Sequence, residues 1–212
     1  RHSFPTRRSS DLAIKKFMNL FNVTIKEVEL VRLKFNATRS LVKEIDQLTY
    51  IDNKATGFEN HLYQVSSSDF NCNIDAFDVE LKNIICEIKS RTPIVRKLRL
   101  GYIGVPPMTP DIYTFVENLN ASFVYNEVQR EFAFPRANDA LDIYHQYYDY
   151  TYPYDTNFRI IELRKQIDRR KLDGIIHYSQ AFCYRAVTDI VLKENLNIPI
   201  LNIEGEDRKS VV

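Results

Sequence analysis

From Leu98 onward, short apolar runs alternate with segments of helical spacing, and this alternation restricts the fold more than any other feature. Residues 98–105 read as a strand ended by Pro106-Pro107, and Thr109-Pro110-Asp111 opens a helix, with Pro at a first-turn position that it tolerates. A second short strand is predicted over 121–125, with helices over 138–148 and 157–170. The second of these carries Ile160, Leu163 and Ile167 on one face. Two more strands are predicted over 174–178 and 198–203. Strands and helices in such order imply an α/β fold with a parallel sheet covered on both faces, Rossmann-like or flavodoxin-like. Right-handed crossovers then bring all the strand C-termini to one edge.

The first 90 residues read differently. Apolar residues at Val28, Val31, Phe35, Val42 and Ile45 mark a long amphipathic helix over 25–50, its stripe widened by Leu30, Leu33, Leu41 and Leu48. A second helix is predicted over 57–65. A third is predicted over 75–89, burying Phe77, Leu81, Ile84, Ile85 and Ile88. Ser90-Arg91-Thr92-Pro93 is a breaker, which divides a helical segment (13–92) from the α/β domain (93–206).

Residues 1–12 and 207–212 lack apolar periodicity and resemble translated sequencing adapters, so they are set apart from the fold and the chain is read as truncated at both ends. They carry net charges of +2 and +1, which leaves −2 for the remainder out of a total of +1. No basic footprint for nucleic acid survives this subtraction. No apolar run is long enough to cross a bilayer, and no G-x-G-x-x-G or phosphate loop is present among only five glycines. Three scattered cysteines argue against a disulfide framework and for a reducing, cytoplasmic setting.

The edge formed by strand C-termini gathers the candidate residues: Gly104 to Pro107, Asn126-Glu127, Tyr178 to Cys183, and Glu204-Gly205. Cys183 follows a buried strand and opens a helix, where unpaired N–H groups and the helix dipole favour a thiolate. Three roles are open to it: a packed thiol, a nucleophile with His177 as base, or a metal ligand with partners from elsewhere. Glu127 is a candidate acid or base, against a capping or surface charge, the slightly favoured alternative. Tyr150 to Tyr154 read as a pocket wall or, preferably, as packing around Pro153. Cys72 sits in a polar turn, and Cys86 reads as a buried structural thiol within the third helix.

Six stretches in this order resemble the 2-hydroxyacyl-CoA dehydratase and benzoyl-CoA reductase family of iron–sulfur proteins. They are Gly101-Tyr102-Ile103-Gly104-Val105-Pro106-Pro107, Val124-Tyr125-Asn126-Glu127-Val128-Gln129-Arg130, Tyr150-Thr151-Tyr152-Pro153-Tyr154, Asp173-Gly174-Ile175-Ile176-His177-Tyr178, Gln180-Ala181-Phe182-Cys183-Tyr184-Arg185, and Ile198-Pro199-Ile200-Leu201-Asn202-Ile203-Glu204-Gly205. The resemblance implies a 4Fe-4S cluster held by three cysteines, of which Cys183 is the last, with the other two in an N-terminal domain. It further implies an acyl-CoA substrate, an ATP-dependent activator protein that supplies an electron, and a related subunit as dimer partner. The implied reaction is radical dehydration of a 2-hydroxyacyl-CoA to an enoyl-CoA. Gly104, Pro106, His177, Tyr178, Gln180 and Arg185 then line the cluster and substrate edge, Arg185 adding charge near the cluster unless it pairs with Asp189. A double-cubane or benzoyl-CoA-reductase-type subunit and a non-catalytic accessory subunit are the alternatives. With one ligand of three, the 212-residue chain by itself is expected to be inactive.

Overall fold

The computed structural model describes residues 7–109, 111–148, 156–181 and 183–205. It begins with four helices: α1 (Arg7–Leu20), α2 (Ile25–Tyr50), α3 (Gly57–Ser66) and α4 (Ile74–Ser90). Two of them start at reciprocal caps. Thr24 Oγ1 accepts from the N–H of Glu27, whose carboxylate accepts from the N–H of Thr24, and Thr56 and Glu59 do the same for α3. Helices α2, α3 and α4 pack through Val42, Ile45, Tyr63, Phe77, Leu81 and Ile88, all buried.

Two expectations are corrected in this layer. Cys86 is exposed: α4 buries Phe77, Leu81, Ile85 and Ile88, and the next residue after Ile85 turns about 100° away from that stripe. Residues 7–12, set apart from the fold, are helical in α1. That helix packs against a short later helix, α7 (Ile143–Tyr148). Cys72 lies exposed in a 3₁₀ turn, as its polar surroundings suggested.

The α/β part contains β1 (Leu98–Gly104), α5 (Ile112–Asn118), β2 (Ala121–Asn126), α6 (Glu127–Phe132), α8 (Thr156–Arg170), β3 (Gly174–Gln180), α9 (Thr188–Asn195) and β4 (Ile200–Gly205). The four strands form one all-parallel sheet in the order β2-β1-β3-β4. This is the α/β architecture that the alternation implies, and its order is the flavodoxin-like one. The chain steps from β1 outward to β2, then crosses back over β1 to β3, so the winding reverses between β1 and β3. Both sheet faces are covered. Tyr102, Tyr113, Phe123 and Ile176 pack on one, and Ile103, Val124, Tyr125, Leu163, Ile175 and Leu192 on the other. Among the described residues no helix is long and apolar enough to cross a membrane.

Local departures have local causes. The helix expected over 138–148 divides into a 3₁₀ turn (Ala137–Asp139) and α7, because Asp142 accepts from the N–H of His145 and starts a new helix there. Strand β4 starts at Ile200 rather than 198, since Pro199 has no N–H, although its carbonyl accepts from Ile175. Helix α6, six residues long, was not expected. Residues 150–154 lie outside the described residues.

The helical layer is tied to the sheet by a buried ion pair. Arg170, 1% exposed, donates from Nη1 and Nη2 to Asp46 at 2.8 and 2.5 Å, from Nη1 to the Val124 carbonyl at 2.7 Å, and from Nε to Gln166 at 2.8 Å. Its guanidinium lies over Tyr50 and Tyr125, 4.2 and 4.9 Å from the ring centroids. Burial pushes the Asp46 carboxyl up, but Arg170 outweighs burial and holds it below the usual carboxylate range.

Candidate functional site at the sheet switch point

At the switch point β1 and β3 end side by side. Gly104 has φ +93°, and a Cβ there would collide with the Tyr178 carbonyl oxygen, so the position accepts only glycine. That carbonyl accepts from the Val105 N–H at 3.1 Å, and the Tyr102 hydroxyl donates to the Val105 carbonyl at 2.7 Å. The chain then turns through Pro106 and Pro107, both half-buried. Gln180 Nε2 contacts Met108 Sδ at 2.8 Å, which links the loops after β3 and β1. Tyr178 itself is buried, with its ring 6.3 Å from that of Tyr102.

Glu127 sits at the start of α6 and is buried rather than a capping or surface charge. Its carboxylate accepts from Arg159 Nε and Nη2 at 2.6 and 2.7 Å and from the Gly104 N–H at 3.0 Å. Burial raises this carboxyl, yet the Arg159 fork and the Gly104 N–H more than offset it, and the group stays ionised. Such a carboxylate fixes the end of β1. To move a proton it would first have to break the fork.

His177 is 2% exposed on β3 and faces α9, where its Nδ1 lies 3.1 Å from Asp189 Oδ1. The carboxylate can only accept, which assigns the proton to Nδ1 and leaves the lone pair on Nε2. Burial lowers the pKa of this imidazole, and the Asp189 hydrogen bond only partly restores it. His177 is therefore neutral at pH 7 and able to accept a proton at Nε2. The second oxygen of Asp189 pairs with Lys193 at 3.0 Å.

Cys183 is half-buried, and its N–H donates to the Gln180 carbonyl at 3.0 Å. It immediately precedes a helical run, but the first turn of that run is 3₁₀ (Tyr184–Val187), and α9 starts only at Thr188. The helix-dipole argument thus applies to a tighter, shorter turn than the sequence implied. Arg185 has its backbone in this turn, and its side chain lies outside the described residues. Asp189, offered above as a surface partner for Arg185, is committed to His177 and Lys193.

Gly104, Pro106, Glu127, His177, Tyr178, Gln180 and Cys183 thus fall on one edge. Cys72 and Cys86 lie in the helical layer. Sequence reasoning missed Arg159 and the pairing of Asp189 with His177. A signal existed for Arg159: Arg159, Leu163, Gln166 and Arg170 recur at helical spacing along one buried stripe of α8. Nothing local marked the Asp189 pairing.

Asp46, Glu127 and His177 all shift the pH dependence of stability the same way. Each has a native pKa below its unfolded value, so the stability it contributes is complete above that value and is lost as pH falls toward the native one. Melting temperature is expected to decline in two stages on acidification. The first begins near pH 6.5 from His177, and the second below about pH 4 from the carboxylates. Scanning calorimetry from pH 8 to 3 checks this, and the first stage should vanish in His177→Gln. A flat profile between pH 7 and 5 would contradict the assignment.

The fold and the edge together define an α/β protein with a thiol and an Asp–His pair at the switch point of a parallel sheet. The profile of the 2-hydroxyglutaryl-CoA dehydratase D-component family matches residues 10–210, and the chain belongs to that family. No curated protein matches the chain.

That family is known for iron–sulfur clusters, which need several thiolates in one place. Among the described residues no group of three or more His, Cys, Asp or Glu side chains could hold a metal ion. Cys183 alone does not fit a four-iron cluster.

Proposed function

We propose that this chain forms the switch-point side of the active site in a 2-hydroxyacyl-CoA dehydratase, a lyase that converts a 2-hydroxyacyl-CoA to an enoyl-CoA. Family membership supports the reaction class. The observation that carries the reading is the convergence of Cys183, the Asp189–His177 pair and Gly104 on one edge, where open parallel sheets bind ligands. In this reading Cys183 supplies one thiolate of a 4Fe-4S cluster, and the other thiolates come from outside the described residues. An ATP-dependent activator delivers the electron, and a related subunit completes the dimer in the cytoplasm.

The remaining residues take supporting roles in this reading. Gly104 lets β1 end tightly against β3, and the Glu127–Arg159 fork holds that turn in place. His177, buried on β3, offers Nε2 as a proton acceptor. Pro106, Tyr178 and Gln180 belong to the same edge. The incomplete ligand set among the described residues favours one second reading, a non-catalytic accessory subunit.

Anaerobic iron–sulfur reconstitution tests the assignment, with Cys183→Ser compared against the unaltered protein in its full reading frame. The unaltered protein is expected to hold about one four-iron cluster per subunit and the variant to lose it, as read by iron content and electron paramagnetic resonance. Equal iron in both would make Cys183 a packed thiol. The 212-residue chain alone is expected to yield no enoyl-CoA with activator and ATP.

A further inference from the structure

Beneath the sheet edge lies a second polar site. A cavity of about 140 Å³ opens between α2, the C-terminal end of α6 with the segment after it, and α8. Its acids are mostly spoken for: Asp46 is held by Arg170, and Glu162 accepts from Arg130 at 3.0 Å with Arg136 nearby. Asp139 is exposed. Four further cations line the same space, Arg39 and Lys43 from α2 and Lys165 and Arg169 from α8. Among the described residues none of these four has a carboxylate within ion-pair distance. Even with Asp139 counted against them, they leave a local excess of positive charge.

Buried polar atoms without partners line the cavity as well. Tyr50 is 7% exposed and Gln64 2%, yet the Tyr50 hydroxyl, Gln64 Oε1 and Arg39 Nε have no hydrogen-bond partner among the described residues. Arg39 lies over the rings of Phe35, Phe70 and Phe134, 5.7, 5.4 and 5.0 Å from their centroids, so burial raises the cost of its charge with no anion to offset it. Water could satisfy the hydroxyl and the amide, but it leaves the charge uncompensated. Cations converging from two helices suit a compact, multiply charged tetrahedral group better than a planar monoanion.

We propose that this cavity binds a phosphoryl group, with Arg39, Lys43, Lys165 and Arg169 supplying the charge and the Tyr50 hydroxyl donating a hydrogen bond. The site is separate from the Cys183 edge and does not rest on the dehydratase reading.

Isothermal titration of the 212-residue chain with inorganic pyrophosphate and, in parallel, with coenzyme A tests the proposal. Pyrophosphate is expected to bind saturably at one site, and binding should weaken as sodium chloride is raised. The double variant Lys43→Gln/Lys165→Gln removes two exposed cations without touching the buried pairs, and should bind about tenfold more weakly. Tyr50→Phe should lose about fivefold, while Lys26→Gln, remote from the cavity, should bind like the unaltered chain. Coenzyme A competing with pyrophosphate makes the ligand a thioester-borne phosphate, and pyrophosphate binding alone makes it a free one. Either outcome supports a phosphoryl site. If neither probe binds below about 10 mM, or if the double variant binds as tightly as the unaltered chain, the proposal is overturned. Cys183→Ser should leave pyrophosphate binding unchanged, so the two readings can fail separately.

Discussion

Replacing Arg170 with alanine is expected to lower the free energy of unfolding by about 3–5 kcal/mol, the largest single loss on the charged network. The variant strands the Asp46 carboxylate, which among the described residues would keep the Asn60 amide as its one side-chain hydrogen-bond donor, with the Arg130 charge acting from farther off. It also frees the Val124 carbonyl on an edge strand and removes the cation held against the Tyr50 and Tyr125 rings. For a chain of this size the melting temperature should fall by roughly 6–20 °C. Arg170→Lys should recover part of the loss, because it restores charge but not the two-pronged geometry. Asp46→Asn combined with Arg170→Met should lie above Arg170→Ala, since no buried charge is left alone. Urea denaturation of the three variants checks the order. An Arg170→Ala loss under about 1 kcal/mol would mean that Asp46 is solvated and the pair peripheral.

Gly104→Ala should come second in effect. A non-glycine residue held at positive φ costs about 1–3 kcal/mol, and here the added methyl also meets the backbone of β3. Relief can come only by parting β1 from β3. That would break the Val105-to-Tyr178 hydrogen bond and draw the Gly104 N–H away from Glu127. Amide exchange at Gly104 and Val105 is therefore expected to accelerate well beyond the change in global stability. Gly174→Ala is the control: its φ is not positive, and its Cβ would meet the Leu100 side chain at 3.4 Å, an ordinary contact. Equal behaviour of the two variants would show that the end of β1 needs no glycine.

What could be read from the sequence was whatever repeats locally. Helices α2, α3 and α4 lie within one residue of their expected bounds, because an apolar stripe must face a partner over several turns. The strands were legible as short apolar runs between breakers, and their C-terminal edge followed from the crossover rule. Strand order was not legible, since nothing in a run of Ile and Val names its neighbour. The ion pairs were hidden for a related reason. Glu127 and Arg159 are 32 residues apart, and Asp46 and Arg170 are 124 apart. Each partner alone looks like a surface charge, and only the fold turns both inward. Cys86 shows the opposite error, an apolar neighbourhood in sequence that the helix rotates toward water.

The place of β1 in the sheet has a consequence for synthesis on the ribosome. Its first neighbour, β2, follows within a few tens of residues, but Leu100 pairs with Gly174 and Gly104 with Tyr178, some seventy residues later. Throughout that interval the inner edge of β1 has no strand to pair with. The α2–α4 layer, built mostly from contacts within residues 42–88, is already complete by then. Folding should therefore proceed from the N-terminus, with a helical platform in place while the central strand waits for its second partner. In that window the nascent chain exposes an open strand edge, and there a chaperone or a self-association partner would find its hold.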